Sequence, residues 1–74
     1  MKRDIMEVMQ MQMPGFSKAQ RWIAQYILSN YEKAAYMTAS KLGALSGVSE
    51  STVVRFAIEL GYDGYPEMQK ALQE

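Results

Sequence analysis

Apolar residues recur along this chain at helical spacing and nowhere alternate long enough to suggest a strand. Ile5, Met9 and Met13 lie four apart, with Met6 and Val8 beside them. That spacing predicts a first helical piece over residues 2–12 with one apolar face. Pro14 stops it, because proline disfavours helix in the residue before it. Ser17 opens a second helix. Its hydroxyl can accept from the amide three residues on, where Gln20 can reach back to close a capping box. Behind that cap Ala19, Trp22, Ile23, Tyr26 and Ile27 fall at i, i+3, i+4, i+7 and i+8, the spacing of a buried stripe that places Trp22 in the core.

The second helix fades near Asn30, and residues 31–37 form a tight or helical connection. Thr38 is the N-cap of a third helix that runs to Ser46, with Gly47 in the left-handed position that ends it. Ser49 caps a fourth helix two residues later, and Gly61 ends that one. A fifth begins around Tyr65-Pro66, where proline suits the first turn, and carries Met68 and Leu72 inward. The fold class expected is all-α: a single domain over residues 1–74, a compact bundle of about five short helices.

Two short helices joined by a glycine-containing turn describe a helix-turn-helix, whose second helix enters the DNA major groove. Residues 38–60 fit it: Leu42 anchors the first helix, Gly43 allows close approach where the helices cross, Gly47 makes the turn and Val48 buries beneath it. On the second helix Val53, Phe56, Ala57 and Leu60 must face the core. Successive residues turn by about 100°, so Ser51, Arg55 and Ile58 point the other way. The outward N-terminal half offers Glu50, Ser51 and Arg55, flanked by Thr52 and Val54. Arginine can bond guanine bidentately, serine adapts to several bases, and a valine methyl can meet a thymine methyl. The free amides at the start of this helix suit a phosphate, with the Ser49 and Thr52 hydroxyls alongside. Each feature has a plain structural role as well: Ser49 as an N-cap, Glu50 as a dipole-complementary carboxylate, Arg55 as a solvated cation.

Composition removes most alternatives. The 74 residues contain no Cys and no His, which excludes disulfides, zinc held by thiolate or imidazole, and imidazole catalysis. No paired carboxylates, nucleophile elbow or glycine-rich phosphate loop occur, so no catalytic residue, cofactor site or metal site is expected and the chain does not read as an enzyme. No uncharged run is apolar enough to span a bilayer, and the N-terminus lacks the apolar stretch of a secretory signal. Eight basic residues balance eight acidic ones, which would ordinarily argue against a nucleic-acid partner. The sum hides an asymmetry, with five basic against three acidic residues in 1–37 and three against five in 38–74. Distribution, not the total, governs steering to DNA.

The run Gly47-Val48-Ser49-Glu50-Ser51-Thr52-Val53-Val54-Arg55-Phe56, followed by Glu59-Leu60-Gly61-Tyr62-Asp63-Gly64-Tyr65-Pro66-Glu67-Met68, strongly resembles the N-terminal domain of RpiR-type bacterial transcriptional regulators. Phe16-Ser17-Lys18-Ala19-Gln20 and Tyr26-Ile27-Leu28-Ser29-Asn30 resemble that family's opening, so the likeness covers the chain from about Met13 to its end. It implies a cytoplasmic helix-turn-helix head that binds double-stranded operator DNA as a homodimer or higher oligomer and regulates sugar catabolism genes. It also implies a downstream sugar-isomerase-like domain that senses a phosphosugar effector. The chain stops at Leu72-Gln73-Glu74 inside a helix with no terminator, as an excised head would. Carried over by position, Ser49, Ser51, Thr52 and Arg55 occupy the recognition-helix slots, and Lys41, Lys18 and Arg21 are candidate phosphate contacts. Ser46 departs from the pattern, being polar beside the turn where such units often carry an apolar residue.

A rival reading is a helical protein-interaction or dimerisation module. Five of the seven methionines fall within the first 13 residues, so the first helix is either adaptable core filling or a dimer contact. Tyr62 and Tyr65 bracket an Asp63-Gly64 turn and are expected to pack the last helix against the recognition helix.

Overall fold

The computed structural model describes residues 4–74. Lys2 and Arg3, placed by the pattern in the first helix, lie outside the described residues. Six helices follow in order: α1 (Ile5–Gln12), α2 (Lys18–Ser29), α3 (Tyr31–Ala34), α4 (Ala39–Ser46), α5 (Glu50–Glu59) and α6 (Tyr65–Gln73). The expected number was about five. The sixth is α3, a single turn within the 31–37 connection.

Side-chain caps fix where these helices begin. The Asp4 carboxylate accepts from the Met6 amide at 3.0 Å and starts α1. Between α1 and α2 the chain makes one 3-10 turn, Met13–Gly15, with Pro14 at its start, and extends at Phe16. Ser17 and Gln20 close the capping box in both directions, at 2.8 and 3.3 Å. Thr38 accepts from the Lys41 amide at 3.1 Å to open α4, and Ser49 accepts from the Thr52 amide at 3.2 Å to open α5. Each cap satisfies an amide that the first helical turn leaves without a partner, typically worth about 1 kcal/mol.

Helices α2, α4 and α5 pack on one another, and α6 closes the bundle against α5 and α3. The core draws on all six helices, from Ile5 and Met9 of α1 to Met68 and Leu72 of α6, and among the described residues no polar or charged residue is buried in it. At its centre Phe56 is wholly buried, with its ring edge-on to Phe16 at a centroid distance of 5.3 Å. Truncating such a ring costs about 3–5 kcal/mol. A chain of this size has a total stability on the order of 4–11 kcal/mol. The fold therefore depends on that one side chain for much of its margin.

Two expectations change. Trp22 is 43% exposed and is not a core residue. The buried side of α2 is Ile23, Ala24 and Ile27, one step round from the stripe read in the sequence, with Ala19 and Tyr26 half-buried at its edge. Methyl-sized Ala24 is wholly buried, and the bulky indole is left on the flank. Val48 is half-buried rather than buried. Of the methionine-rich α1, Ile5 and Met9 are core, while Met11 is 57% exposed.

Helix α6 is tied to the rest by side chains. The Tyr65 hydroxyl donates to the Met37 carbonyl at 2.6 Å, and Gln69 Nε2 donates to the same oxygen at 2.8 Å. Gln73 Nε2 donates to the Ala35 carbonyl at 2.9 Å. These bonds hold the segment that leads into the Thr38 cap, so α6 positions the start of α4. Among the described residues no helix is long and apolar enough to cross a membrane.

Candidate nucleic-acid interface

The turn between α4 and α5 is built by two glycines with different jobs. Gly47 ends α4 in the left-handed conformation, φ +83°, which side chains with a Cβ rarely adopt. Gly43 supplies closeness instead. A Cβ there would stand 2.9 Å from the Val48 carbonyl oxygen and 3.2 Å from the Ser49 carbonyl. The Val48 amide meanwhile donates to the Gly43 carbonyl at 2.9 Å. Residues 43 and 48 are thus held backbone to backbone, and the start of α5 is pinned against α4.

Helix α5 separates its two sides sharply. Val53, Phe56, Ala57 and Leu60 are buried, as the spacing predicts, whereas Ser51, Arg55 and Ile58 are exposed. Thr52 and Val54 are half-buried on the flanks, and Glu50 is exposed in the first turn. Ten residues give the helix a length of about 15 Å, suited to a major groove about 12 Å wide.

The hydroxyls at its N-terminus form one network. Ser49 Oγ accepts from the Thr52 amide and lies 3.1 Å from Ser51 Oγ and 2.8 Å from Thr52 Oγ1. A hydroxyl has one hydrogen and two lone pairs, so Ser49 donates to one of these neighbours and accepts from the other. Its capacity is then used up. The neighbour that receives the Ser49 hydrogen keeps its own hydrogen free. Ser49 therefore organises the site, and the outgoing hydrogen bond comes from Ser51 or Thr52.

Lys18, Arg21 and Lys41 are all exposed, Lys18 and Arg21 on α2 and Lys41 in the first turn of α4. Among the described residues none of them, nor Arg55, is held in an ion pair. The Lys18 ammonium lies 5.3 Å from the centroid of the Trp22 ring. Trp22 in turn reaches the turn itself, with its Cε3 4.0 Å from the position of a Cβ on Gly47. The sequence reading did not pair Trp22 with the site, although its i, i+4 spacing from Lys18 was there to be used. The Ser46 hydroxyl beside the same turn is buried and has no hydrogen-bond partner among the described residues. The departure noted in the sequence is thus a polar atom in an apolar place.

A helix, a left-handed glycine and a second helix with one polar exposed side define a helix-turn-helix DNA-binding domain. The model described as "Helix-turn-helix domain, rpiR family" matches residues 3–74, and the chain belongs to that family. The transcriptional regulator HexR of Pseudomonas aeruginosa is 33% identical over 72 residues, covering 97% of this chain and 25% of that protein. YfhH of Escherichia coli K12, an uncharacterized HTH-type transcriptional regulator, is 37% identical over 60 residues, or 81% of this chain and 21% of its own length. Among solved structures, the Vibrio vulnificus NanR protein complexed with ManNAc-6P superposes with a TM-score of 0.89 at 35% identity, covering 93% of this chain and 26% of that one. The chain thus spans about a quarter of the length of these relatives. It is a DNA-binding domain of the transcriptional-regulator type.

Proposed function

We infer that this domain recognises operator DNA in a sequence-specific manner, with α5 in the major groove. In this reading Arg55 and Ser51 meet base edges, Glu50 and Val54 border them, and the first-turn amides with the Ser51 or Thr52 hydroxyl receive a phosphate. Ser49 holds those hydroxyls in position. Lys41, Lys18 and Arg21 contact flanking phosphates, which fix the register and carry no sequence information. The observation that carries the reading is the exposed Ser51–Arg55 stripe on a helix whose other side is locked into the core.

The domain acts as the head of a longer regulator that binds as a homodimer or higher oligomer and controls sugar or phosphosugar metabolism genes. Two findings support this extension. The relatives are about four times as long, and NanR, one of them, is complexed with ManNAc-6P, a sugar phosphate by its name. A sugar-isomerase-like domain downstream would sense such an effector. The isolated head has no net charge, so its own binding is weak, and it falls with salt because neutralised phosphates release counterions.

The test is in vitro selection of duplexes by the full-length protein, followed by fluorescence anisotropy of the selected duplex against the head, alone and forced into a dimer. Salt-sensitive binding that discriminates the selected duplex from a scrambled one is expected. No salt-sensitive binding by the forced dimer would overturn the reading.

A further inference from the structure

We propose that Trp22 is a positioning residue for DNA: its indole, next to the turn that leads into α5, is a platform that holds the Lys18 ammonium. The inference rests on the DNA-binding reading above and extends it to a residue outside the recognition helix. Trp22 is 43% exposed on the flank of α2, while Ile23, Ala24 and Ile27 supply that helix's buried side.

What the ring does touch is informative on both counts. Its Cε3 lies 4.0 Å from where a Cβ on Gly47 would stand, two residues before the Ser49 cap of α5. The ring also lies under the Lys18 ammonium at 5.3 Å, within cation–π range. A lysine on a free four-carbon stem loses much rotamer entropy when it binds a phosphate. A lysine already stacked on a ring loses less. The arrangement sets a cation of α2 on the same ring that borders the turn.

The experiment uses this chain, a fluorescein-labelled duplex of arbitrary sequence at low salt, and the selected duplex. Trp22→Leu is expected to weaken binding about two- to fivefold, the size of an exposed cation–π contact. The loss is the same on both duplexes, because a phosphate contact is blind to sequence. Lys18→Ala is expected to weaken binding at least as much, and Trp22→Leu added to Lys18→Ala costs nothing further. Trp22→Tyr, which keeps an aromatic face, restores most of the affinity. Trp22 is also the only tryptophan of the chain, so its emission changes when DNA is added.

Independent, multiplying losses from Trp22→Leu and Lys18→Ala would overturn the proposal, as would failure of Trp22→Tyr to rescue or emission unmoved by bound DNA. Arg55→Ala separates this inference from the reading beneath it. If Arg55→Ala weakens binding to the selected duplex while Trp22→Leu does not, only the platform fails. If neither substitution matters, the DNA-binding reading fails with it.

Discussion

The absent side chain of Gly43 and the carbonyl oxygen of Val48 are matched: a Cβ on residue 43 would stand 2.9 Å from that oxygen. Two effects then compete in Gly43→Ala. Alanine in a helix interior gains about 1 kcal/mol over glycine. Overpacking costs about 1–3 kcal/mol, and here the neighbour is backbone on the turn, which cannot swing aside as a side chain would. The clash wins. Gly43→Ala is expected to destabilise the fold by up to about 2 kcal/mol in urea denaturation and to weaken DNA binding through the displaced turn. Gly15→Ala is the control, since a Cβ there meets nothing within 4 Å and φ is not in the left-handed region. It should stabilise by about 0.4–1 kcal/mol by restricting the unfolded chain.

Ser46→Ala is expected to raise stability. The hydroxyl is buried without a partner among the described residues, so its removal relieves a desolvation cost and leaves no new orphan. Alanine is also the better helix former. A gain of about 0.5–1 kcal/mol in chemical denaturation is the expected result.

The serine caps separate stability from recognition. Ser17→Ala and Ser49→Ala each remove a cap and should each cost about 1 kcal/mol by thermal or urea unfolding. Their effects on DNA should differ. Ser49→Ala also releases Ser51 and Thr52 from their shared network, whereas Ser17 caps α2 alone. Anisotropy measured where both variants are fully folded should show weakened binding for Ser49→Ala only.

Arg55→Ala should leave folding unchanged, because the side chain is exposed on the outer stripe of α5. Its cost on the selected duplex is expected to be about 1–3 kcal/mol, with discrimination relaxed at one base position. Lys41→Ala should instead weaken binding evenly across sequences and reduce the salt slope by about one.

Alkaline pH should expose Tyr65. Burial raises its phenol above the ordinary tyrosine value of 10.0. The folded state therefore keeps the proton that the unfolded state releases. The contribution is fully present below pH 10 and is lost as pH rises through the folded value. Tyr31 is raised in the same sense, chiefly by burial and then by the Asp4 charge, and adds to the same window. Tyr65→Phe removes one of the two bonds to the Met37 carbonyl. It should cost about 1 kcal/mol at neutral pH and flatten the alkaline loss.

Much of this fold was legible because its signals are local. The caps at Ser17, Thr38 and Ser49 each act over three residues, and the left-handed Gly47 is set by its own backbone. The buried side of α5 follows from spacing alone. Trp22 was misread because periodicity assigns a face to a helix without saying which neighbours approach it. Only the assembled bundle shows that Ala24 is wholly buried while the indole stays 43% exposed. The hydrogen bonds from α6 to Met37 and Ala35 were invisible for the same reason, since they join residues 28 to 38 apart. Within the candidate site, spacing marked Ser51 and Arg55 as outward, while the hydroxyl network required coordinates.

Caps that close over three residues have a kinetic consequence. Each helix can begin from its own sequence, and α4 and α5 meet across a turn too short to carry much loop-closure entropy. Helical domains wired in this way commonly fold in about microseconds to milliseconds. The surface formed by α4, the turn and α5 should therefore be among the first parts of the chain to assemble. A head that is pulled open would regain that surface quickly, before the longer-range ties of α6 had formed.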